Sequence, residues 1–304
     1  MIKPSVLLPG DRLMIVAPSR KVQPADVEPA IKVLKDWGLE VRVSRNLHSS
    51  AHTYLAGTDQ ERLNDLQSAI NDNEIKAIIS ARGGYGSTRI LDQLDLSPLS
   101  EYPKWIIGFS DITALHLKLL KENIMSIHAI MPILFPKAQA AESIESLRRV
   151  LFHGQFTLRS GPYEKNRFGD AQGTVIGGNL SLLVDSLGTS SEIETKNCIL
   201  IIEEIDEYRY RLDRMMTQLR RAGKLENLAA LIVGHMTDIK DPELPFGDTV
   251  DEIILNAVRG YDYPVAFKFP TGHEQPNLAW IHGGLATLTV SGEGTRISSA
   301  SLVL

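Results

Sequence analysis

The stretch IIGFSDITALH, residues 106–116, changes from one type of structure to another within a few residues. The apolar run that ends at Gly108 is typical of a short buried strand. From Ile112 onward, apolar residues recur at the spacing of one helix face. The sequence therefore predicts a strand, a tight turn that carries Ser110, and a helix.

The same alternation of strands and helices runs along the first half of the chain. The predicted strands are Leu13–Ala17, Leu39–Val43, Ile75–Ala81 and Trp105–Phe109, and the predicted helices are Asp26–Trp37, Gln60–Ile70 and Ile112–Leu120. This alternation indicates βαβ units in an α/β fold with a parallel sheet, whose ligand sites lie beyond the carboxyl ends of the strands. The segments RGGYG and GFSD both follow such ends.

A chain of 304 residues is long for one core, so two domains are expected. We predict an N-terminal domain at 1–157, a polar, glycine-containing connection at 158–172 and a C-terminal domain at 173–304. The second domain opens with a predicted strand, a turn at Gly177–Gly178 and a short helix. Its further predicted elements are the strands Cys198–Ile205, Leu228–Val233, Val265–Phe269, Ala286–Val290 and Ile297–Val303 and the helices Tyr208–Arg221 and Asp251–Arg259.

Composition excludes several classes of protein. The net charge is −5 and no basic run stands out, so neither nucleic acid nor an anionic membrane is expected as a partner. The single cysteine, Cys198, rules out an internal disulfide and is predicted to be a strand core position rather than a nucleophile. No signal peptide and no apolar segment of about 18 residues is recognised. The expected location is the cytoplasm.

Ser110 is the first candidate for chemistry. A serine on a strand-to-helix elbow exposes its hydroxyl, and the amide of the next residue, Asp111, points to where an oxyanion would form. The usual G-x-S-x-G pattern is incomplete, because Ile112 replaces the second glycine. The alternative is that Ser110 is the N-cap of the following helix, with Asp111 in its first turn.

The segment ARGGYGSTR, residues 81–89, follows a predicted strand. Its glycines permit close approach to a ligand, and their amides are suited to an oxyanion or a carboxylate. The spacing fits neither a phosphate-binding P-loop nor a dinucleotide fingerprint. A purely structural turn is the alternative.

An acid and a histidine follow in the second half. Glu203 and Glu204 close a predicted buried strand, where acids must be paired or exposed. Nearby arginines are expected to pair with Glu204, Asp206 and Glu207, while one acid orients a histidine. The arginines in question are Arg209, Arg211 and Arg214.

His273, in the loop PTGHEQPN, is either a surface residue or a catalytic imidazole. The chain order of serine, acid and histidine is that of α/β-hydrolases. Ser110 would then attack a carbonyl, His273 would take its proton, and Glu203 would orient the imidazole.

Five motifs together resemble the LD-carboxypeptidase family of serine peptidases. They are ARGGYGSTRIL, IIGFSDITALH, GGNLSLL, IEEIDEYRYRLDRMMTQL and PTGH, and the matches run from Leu13 to His282. The family includes muramoyltetrapeptide carboxypeptidases and microcin C self-immunity peptidases. The resemblance implies an N-terminal α/β domain like that of class I glutamine amidotransferases, a smaller C-terminal α/β domain, a homodimer, and no metal or other cofactor.

The resemblance also implies roles for single residues. Ser110, Glu203 and His273 would form the triad, with Glu203 chosen because it is the first acid of its motif. The amides of Asp111 and Gly84 would form the oxyanion hole. One departure is HAIMP, residues 128–132, where the family tends to show a His-Gly-Pro-like turn. This departure bears on a pocket wall rather than on the triad.

The expected reaction is cleavage of the amide between an L-centre and a terminal D-amino acid, typically D-alanine of a murein tetrapeptide in cell-wall recycling. Arg82 and the glycine amides would hold the free carboxylate. The alternatives are an immunity-type hydrolase of peptidyl or aminoacyl nucleotides and a non-catalytic peptide-binding relative. The loop 238–247 has Phe246 as its single aromatic residue, which favours a murein peptide over a nucleotide that needs a stacking partner.

Overall fold

A computed structural model describes residues 1–300, which form two compact units. The first unit contains Met1–Gln155 and the short segment Leu278–Gly283. The second contains Phe156–Asn277 and the chain from Gly284 onward. The chain therefore leaves the second unit once and returns to it.

Strands and helices are numbered in chain order. The strands are β1 (Arg12–Val16), β2 (Glu40–Val43), β3 (Ile75–Ser80), β4 (Trp105–Gly108), β5 (Ser126–His128), β6 (Thr157–Ser160), β7 (Gly169–Asn179), β8 (Cys198–Ile205), β9 (Ala230–Thr237), β10 (Val265–Ala266), β11 (Trp280–His282), β12 (Leu285–Ser291) and β13 (Gly294–Ser299). The helices are α1 (Pro24–Asp36), α2 (Asp59–Asn71), α3 (Thr88–Leu91), α4 (Pro98–Glu101), α5 (Thr113–Lys121), α6 (Ala141–His153), α7 (Leu180–Asp185), α8 (Arg209–Arg221) and α9 (Val250–Ala257).

The first unit is built on a sheet with the strand order β11-β5-β4-β3-β1-β2. Strands β1 to β5 are parallel, which confirms the alternating pattern predicted for β1 to β4; β5 was not among the strands predicted from that pattern, and β11 joins the edge antiparallel to β5. All four residues of β4 are buried, which explains its continuous apolar sequence. The strand order reverses beside β1, and such a switch point opens a crevice at the carboxyl ends of the strands. The segments after β1, β3 and β4 start there.

The second unit has a mixed sheet with the order β10-β9-β8-β7-β12-β13-β6. Strands β7 to β10 are parallel, and β12, β13 and β6 are antiparallel. Helix α8 buries the predicted apolar face of Leu212, Met215, Met216 and Leu219. The region 158–172 lies in this unit and contains most of β6 and the start of β7.

Two local predictions were wrong. Gly177–Gly178 is not a turn, because β7 continues through both glycines to Asn179. A Cβ atom at Gly177 would lie 1.9 Å from the carbonyl oxygen of Ile201, so glycine is needed for close strand packing. The strand predicted at 265–269 ends at Ala266, since Lys268 adopts a φ of 55°.

The run predicted at Ile297–Val303 begins inside β13, and its last three residues lie outside the described part of the chain. Within residues 1–300, no helix combines the length and the apolar character that crossing a membrane requires.

Candidate active site

Ser110 lies on a strained elbow between β4 and α5. Its φ angle is 64°, in the left-handed region that residues with a Cβ atom disfavour. Residues Ser110–Ile112 form a single 3₁₀ turn, and the N-cap of α5 is Ile112 rather than Ser110. A Cβ atom at Gly108 would lie 2.8 Å from Cγ1 of Ile112, so this elbow closes tightly because Gly108 has no side chain. The geometry is that of a nucleophile elbow.

Asp111 ties the elbow to the two neighbouring strand-end loops. Its carboxylate, on a residue 1% exposed, accepts hydrogen bonds from Oγ of Ser19 at 2.5 Å and from the amide of Ser87 at 2.9 Å. Its carbonyl oxygen accepts a third from Oγ of Ser87 at 2.8 Å. Ser19 follows β1 and Ser87 follows β3. The sequence predicted a role for the amide of Asp111, but this side-chain network was missed.

The RGGYG turn passes directly beside Ser110. A Cβ atom at Gly83 would lie 3.0 Å from Cβ and 3.1 Å from Oγ of Ser110. Gly84, the next residue, has a φ of 108° that favours glycine. The two predicted oxyanion residues, Gly84 and Asp111, therefore belong to segments that meet at Ser110.

Two arginines accompany the glycine turn. Cβ of Arg20 lies 3.1 Å from the position of a Cβ atom on Gly84, and its guanidinium stacks 4.8 Å from the centre of the Tyr54 ring. Arg82 is half-buried, and burial followed by the positive charge of Arg20 lowers its pKa. Two cations beside one turn make this region attractive to an anion.

Arg62 is a buried cation that supports the same loops. Its side chain is fully buried, and it donates to the carbonyl oxygens of Pro18 and Gly86 and to the carboxylate of Asp59. Arg62 was not among the functional residues predicted from the sequence. The sequence does contain a signal for its burial: Arg62 is four residues before Leu66 and therefore lies on the apolar face of the predicted helix.

His116 stabilises the elbow through a hydrogen bond to the strand end that precedes Ser110. Its Nε2 donates to the carbonyl oxygen of Gly108 at 2.9 Å, and its Nδ1 accepts from Oγ of Ser126 at 2.8 Å. Burial lowers the pKa of His116 to about 4, although its bond to Gly108 opposes the shift. His116 is thus a neutral residue that fixes the strand end just before Ser110.

The predicted acid and histidine form a close pair in the second unit. Nδ1 of His273 lies 2.6 Å from Oε2 of Glu203, which is fully buried at the carboxyl end of β8. A Cβ atom at Gly272 would lie 2.9 Å from Cβ of Glu203, so the glycine of PTGH lets this loop approach the acid. Burial alone lowers the pKa of His273, but the charge of Glu203 and the hydrogen bond to it outweigh burial and raise the pKa.

Glu204 has a different role from its neighbour, because successive side chains of a strand point to opposite faces. Its carboxylate accepts from Nδ2 of Asn179 at 3.0 Å and from the amide and hydroxyl of Ser181 at 2.8 and 2.6 Å. It thereby caps the start of α7. Burial raises its pKa, while these hydrogen bonds oppose the shift.

The predicted pairing of acids with arginines was right for one of the three. Glu207 lies 3.6 Å from Arg211. Glu204 is instead held by the start of α7, and Asp206 forms its ion pair with Lys240. The error arose because Glu204 faces the interior, where a helix start supplies neutral donors.

Two other kinds of reactive site, a nucleophilic cysteine and a metal-binding cluster, are absent from the described residues. Cys198 opens β8, and burial raises the pKa of its thiol to about 11, so it stays protonated near neutral pH. Within residues 1–300, no three His, Cys, Asp or Glu side chains are grouped so as to bind a metal ion.

The predicted site residues thus divide between the two units. Ser110, Asp111, Gly84 and Arg82 lie at the strand ends of the first sheet. Glu203 and His273 lie together at the strand ends of the second. Each set follows the rule that sites form beyond the carboxyl ends of parallel strands.

Comparison with known families gives two matches. The LD-carboxypeptidase N-terminal domain matches residues 13–129, and the LD-carboxypeptidase C-terminal domain matches residues 172–288. The first match includes Ser110 and the glycine turn, and the second includes Glu203 and His273.

Individual relatives match over almost the full chain. A Bacillus subtilis protein, named probable murein peptide carboxypeptidase, is 32% identical, covering 99% of this chain and 95% of its own. The crystal structure of a muramoyltetrapeptide carboxypeptidase from Oxalobacter formigenes has a TM-score of 0.86 at 28% identity, covering 95% of this chain and 99% of its own. The microcin C7 self immunity protein, solved with aspartyl sulfamoyl adenosine, shares the fold at a TM-score of 0.85 and 21% identity, covering 99% of both chains.

Proposed function

The chain belongs to the LD-carboxypeptidase family, and from that premise we propose that it is a serine carboxypeptidase that releases a C-terminal D-amino acid from an L-centre. D-alanine of murein tetrapeptides, set free in cell-wall recycling, is the proposed product. The observation that carries the proposal is the 2.6 Å contact between Nδ1 of His273 and the buried carboxylate of Glu203. Such a pair prepares an imidazole to act as a general base.

Each member of the proposed triad has one task. The proton on Nδ1 of His273 is donated to Glu203, which leaves the Nε2 lone pair to take the proton of Ser110. Ser110 Oγ then forms a bond to the scissile carbonyl carbon. The amides of Asp111 and Gly84 stabilise the resulting oxyanion. The C–N bond breaks, and His273 returns the proton to the leaving amine of the D-amino acid.

Water completes the reaction. His273 takes a proton from a water molecule, the hydroxide adds to the acyl carbon, and the bond to Ser110 breaks as the proton returns to Oγ. The acyl-enzyme is thereby hydrolysed and the serine regenerated. No cofactor takes part in these steps.

Arg82 is the proposed contact for the free carboxylate of the substrate, together with the amides of the glycine turn. Its position in the chain, next to the residue that contacts Ser110, supports this role. The burial that lowers its pKa also strengthens its attraction for an anion, because water screens it less. A carboxypeptidase needs such a contact to distinguish a chain end from an internal amide.

The proposed division of labour follows the predicted domains. The N-terminal domain, 1–157, would supply the nucleophile and the oxyanion hole, and the C-terminal domain, 173–304, together with the β6 and β7 residues of 158–172 that belong to the same unit, would supply the acid and the base. We also propose that the enzyme acts as a cytoplasmic homodimer on small peptides. Sedimentation of the purified protein tests the dimer.

The murein peptide is preferred over a peptidyl or aminoacyl nucleotide. The likeness to the microcin immunity protein is one of fold, at 21% identity. The loop at 238–247 offers Phe246 alone as a stacking aromatic residue. A non-catalytic role is disfavoured because Ser110 keeps a strained conformation that binding by itself would not require.

The test is D-alanine release from a murein tetrapeptide that ends in an L-centre–D-Ala bond. Release by the wild type that is lost in Ser110→Ala, and kept in the control Ser100→Ala on the exposed face of α4, is the expected result. Undiminished release by Ser110→Ala would remove the nucleophile assignment. Cleavage of an aminoacyl nucleotide without tetrapeptide cleavage would replace the proposed substrate with the alternative one.

A further inference from the structure

His235 lies at an irregularity of β9 directly opposite Glu203. The register pairs Ile202 with Val233 and Glu204 with Met236, so Gly234 and His235 together face Glu203. Two residues opposite one define a β-bulge, which redirects a side chain and is frequent beside active sites. The side chain of His235 is half-buried at this point.

The loop that carries His273 is fastened to His235 on both sides. The amide of His235 donates to the carbonyl oxygen of Thr271 at 2.8 Å, and Nδ1 of His235 accepts from the amide of Glu274 at 3.1 Å. Between these bonds, a Cβ atom at Gly272 would lie 3.1 Å from Cβ of His235. Thr271, two residues before His273, and Glu274, the residue directly after it, are therefore both hydrogen-bonded to His235.

The bond to Glu274 specifies the protonation of His235. A backbone amide only donates, so Nδ1 must carry a lone pair and the ring proton must be on Nε2. Burial lowers the pKa of His235, the charges of Glu274 and Glu203 and a hydrogen bond with the backbone of Gly272 oppose that shift, and the charge of His273 adds to it. The ring is thus neutral near neutral pH, as the acceptor role requires.

We propose that His235 is a positioning residue which, as an uncharged acceptor for the amide of Glu274, holds the imidazole of His273 against Glu203. The inference rests on the proposed function, in which His273 is the base. The physical reason is that the contact of His273 with Glu203 depends on the path of a loop, and His235 fixes that loop two residues before and one residue after the base. Protonation of Nδ1 of His235 would abolish the bond to Glu274 and place a positive charge beside His273.

Two substitutions separate the acceptor from the titrating group. In His235→Asn, the amide oxygen replaces Nδ1 as an acceptor but does not titrate. In His235→Leu, the bulk remains and the acceptor is lost. His153→Leu, at the exposed end of α6, is the matched control. We expect His235→Leu to lower kcat by about 10- to 100-fold with little change in KM, since small displacements of a catalytic group have effects of this size.

The pH profile gives a readout that loss of packing alone would not change. In the wild type, log kcat/KM should fall with a slope of 1 below the pKa of His273 and steepen to 2 below the lower pKa of His235. In His235→Asn, the slope should stay at 1 and kcat should remain within about 3-fold of the wild type. A wild-type slope of 1 throughout, or the same steepening in His235→Asn, would overturn the proposal.

A substrate-free measurement keeps this inference separate from the proposed activity. Histidine side-chain NMR of the folded variants reports the pKa of His273 and its low-field Nδ1 proton. Loss of that proton signal, or a changed pKa, in His235→Leu but not in His153→Leu supports the positioning role. An unchanged signal and pKa in folded His235→Leu refutes it. Absence of D-alanine release by the wild type would refute the proposed function while leaving this NMR test valid.

Discussion

Replacing Ser110 by glycine should make the protein more stable than replacing it by alanine. The φ of 64° at this residue is unfavourable for any side chain with a Cβ atom. Both substitutions remove Oγ, so the difference between the two variants isolates the effect of the Cβ atom in this conformation. Both variants should lack activity if Ser110 is the nucleophile.

The size of the effect follows from two opposing contributions. A residue with a Cβ atom in the left-handed region is disfavoured by roughly 1–2 kcal/mol, which glycine avoids. Glycine loses more backbone entropy on folding, roughly 0.5–1 kcal/mol. The difference leaves Ser110→Gly more stable than Ser110→Ala by about 0.5 to 1 kcal/mol, or about 1 to 4 °C in Tm for a unit of this size.

The assay is thermal and urea unfolding of both variants, with Ser100 as a matched control. Ser100 lies inside the short helix α4, where glycine is worse than alanine by about 1 kcal/mol. The order of stability should therefore be opposite at the two positions. If Ser110→Ala proved as stable as Ser110→Gly, the backbone at Ser110 would not be strained. The interpretation that this conformation is maintained for reactivity would then be wrong.

Three further substitutions test the site. Glu203→Gln should lower the pKa of His273 by about 1 to 2 units, because a charge-assisted hydrogen bond contributes about 1.5–3 kcal/mol and one unit corresponds to about 1.4 kcal/mol. This substitution should also lower kcat on the order of 10³- to 10⁴-fold. An unaltered NMR titration of His273 in Glu203→Gln would contradict the pairing. The raised pKa of His273 also places the acid limb of the wild-type profile above the ordinary value of about 6.5, and a midpoint below that value would count against His273 as the base. Gly83→Ala, whose Cβ atom would lie 3.0 Å from Cβ of Ser110, should reduce kcat by about 10- to 100-fold in a folded protein. Full activity would mean that the glycine turn moves away without displacing Ser110, which would contradict this prediction. Arg82→Gln should raise KM at least about 10-fold for a substrate with a free C-terminal carboxylate, whereas the exposed Arg149→Gln should not, and equal KM values for all three proteins would exclude Arg82 as the carboxylate contact.

The parallel sheet of the first unit was predictable because its signals are local. The strands β1 to β4 and the helices α1, α2 and α5, which were predicted, extend over 4 to 13 residues, and the turn residues that separate them are visible in the same windows. The short edge strand β11 was not predicted. Three residues from near the end of the chain, Trp280–His282, carry no periodicity of their own and become a strand only by pairing with β5.

The double glycine of β7 is a case in which a clear local signal predicted the wrong structure. Two adjacent glycines are typical of a turn, and the sequence predicted one at Gly177–Gly178. The structure continues the strand because the carbonyl of Ile201 approaches Gly177 too closely for any side chain. The prediction of a turn was therefore wrong, because the need for glycine arises from a neighbouring strand and not from a change in chain direction.

The sequence by itself determined the alternating fold, the residue types at the strand ends and, through its motifs, the family. Tertiary structure alone decided that Ser110 is held at a positive φ, that Asp111 joins three loops and that Glu204 caps a helix. The pairing of Glu203 with His273 was expected from the motifs, and the structure brings the two side chains within 2.6 Å. The physical reason is range: periodicity depends on neighbours within a few residues, whereas the partner of a buried carboxylate is set by a loop 70 residues away along the chain.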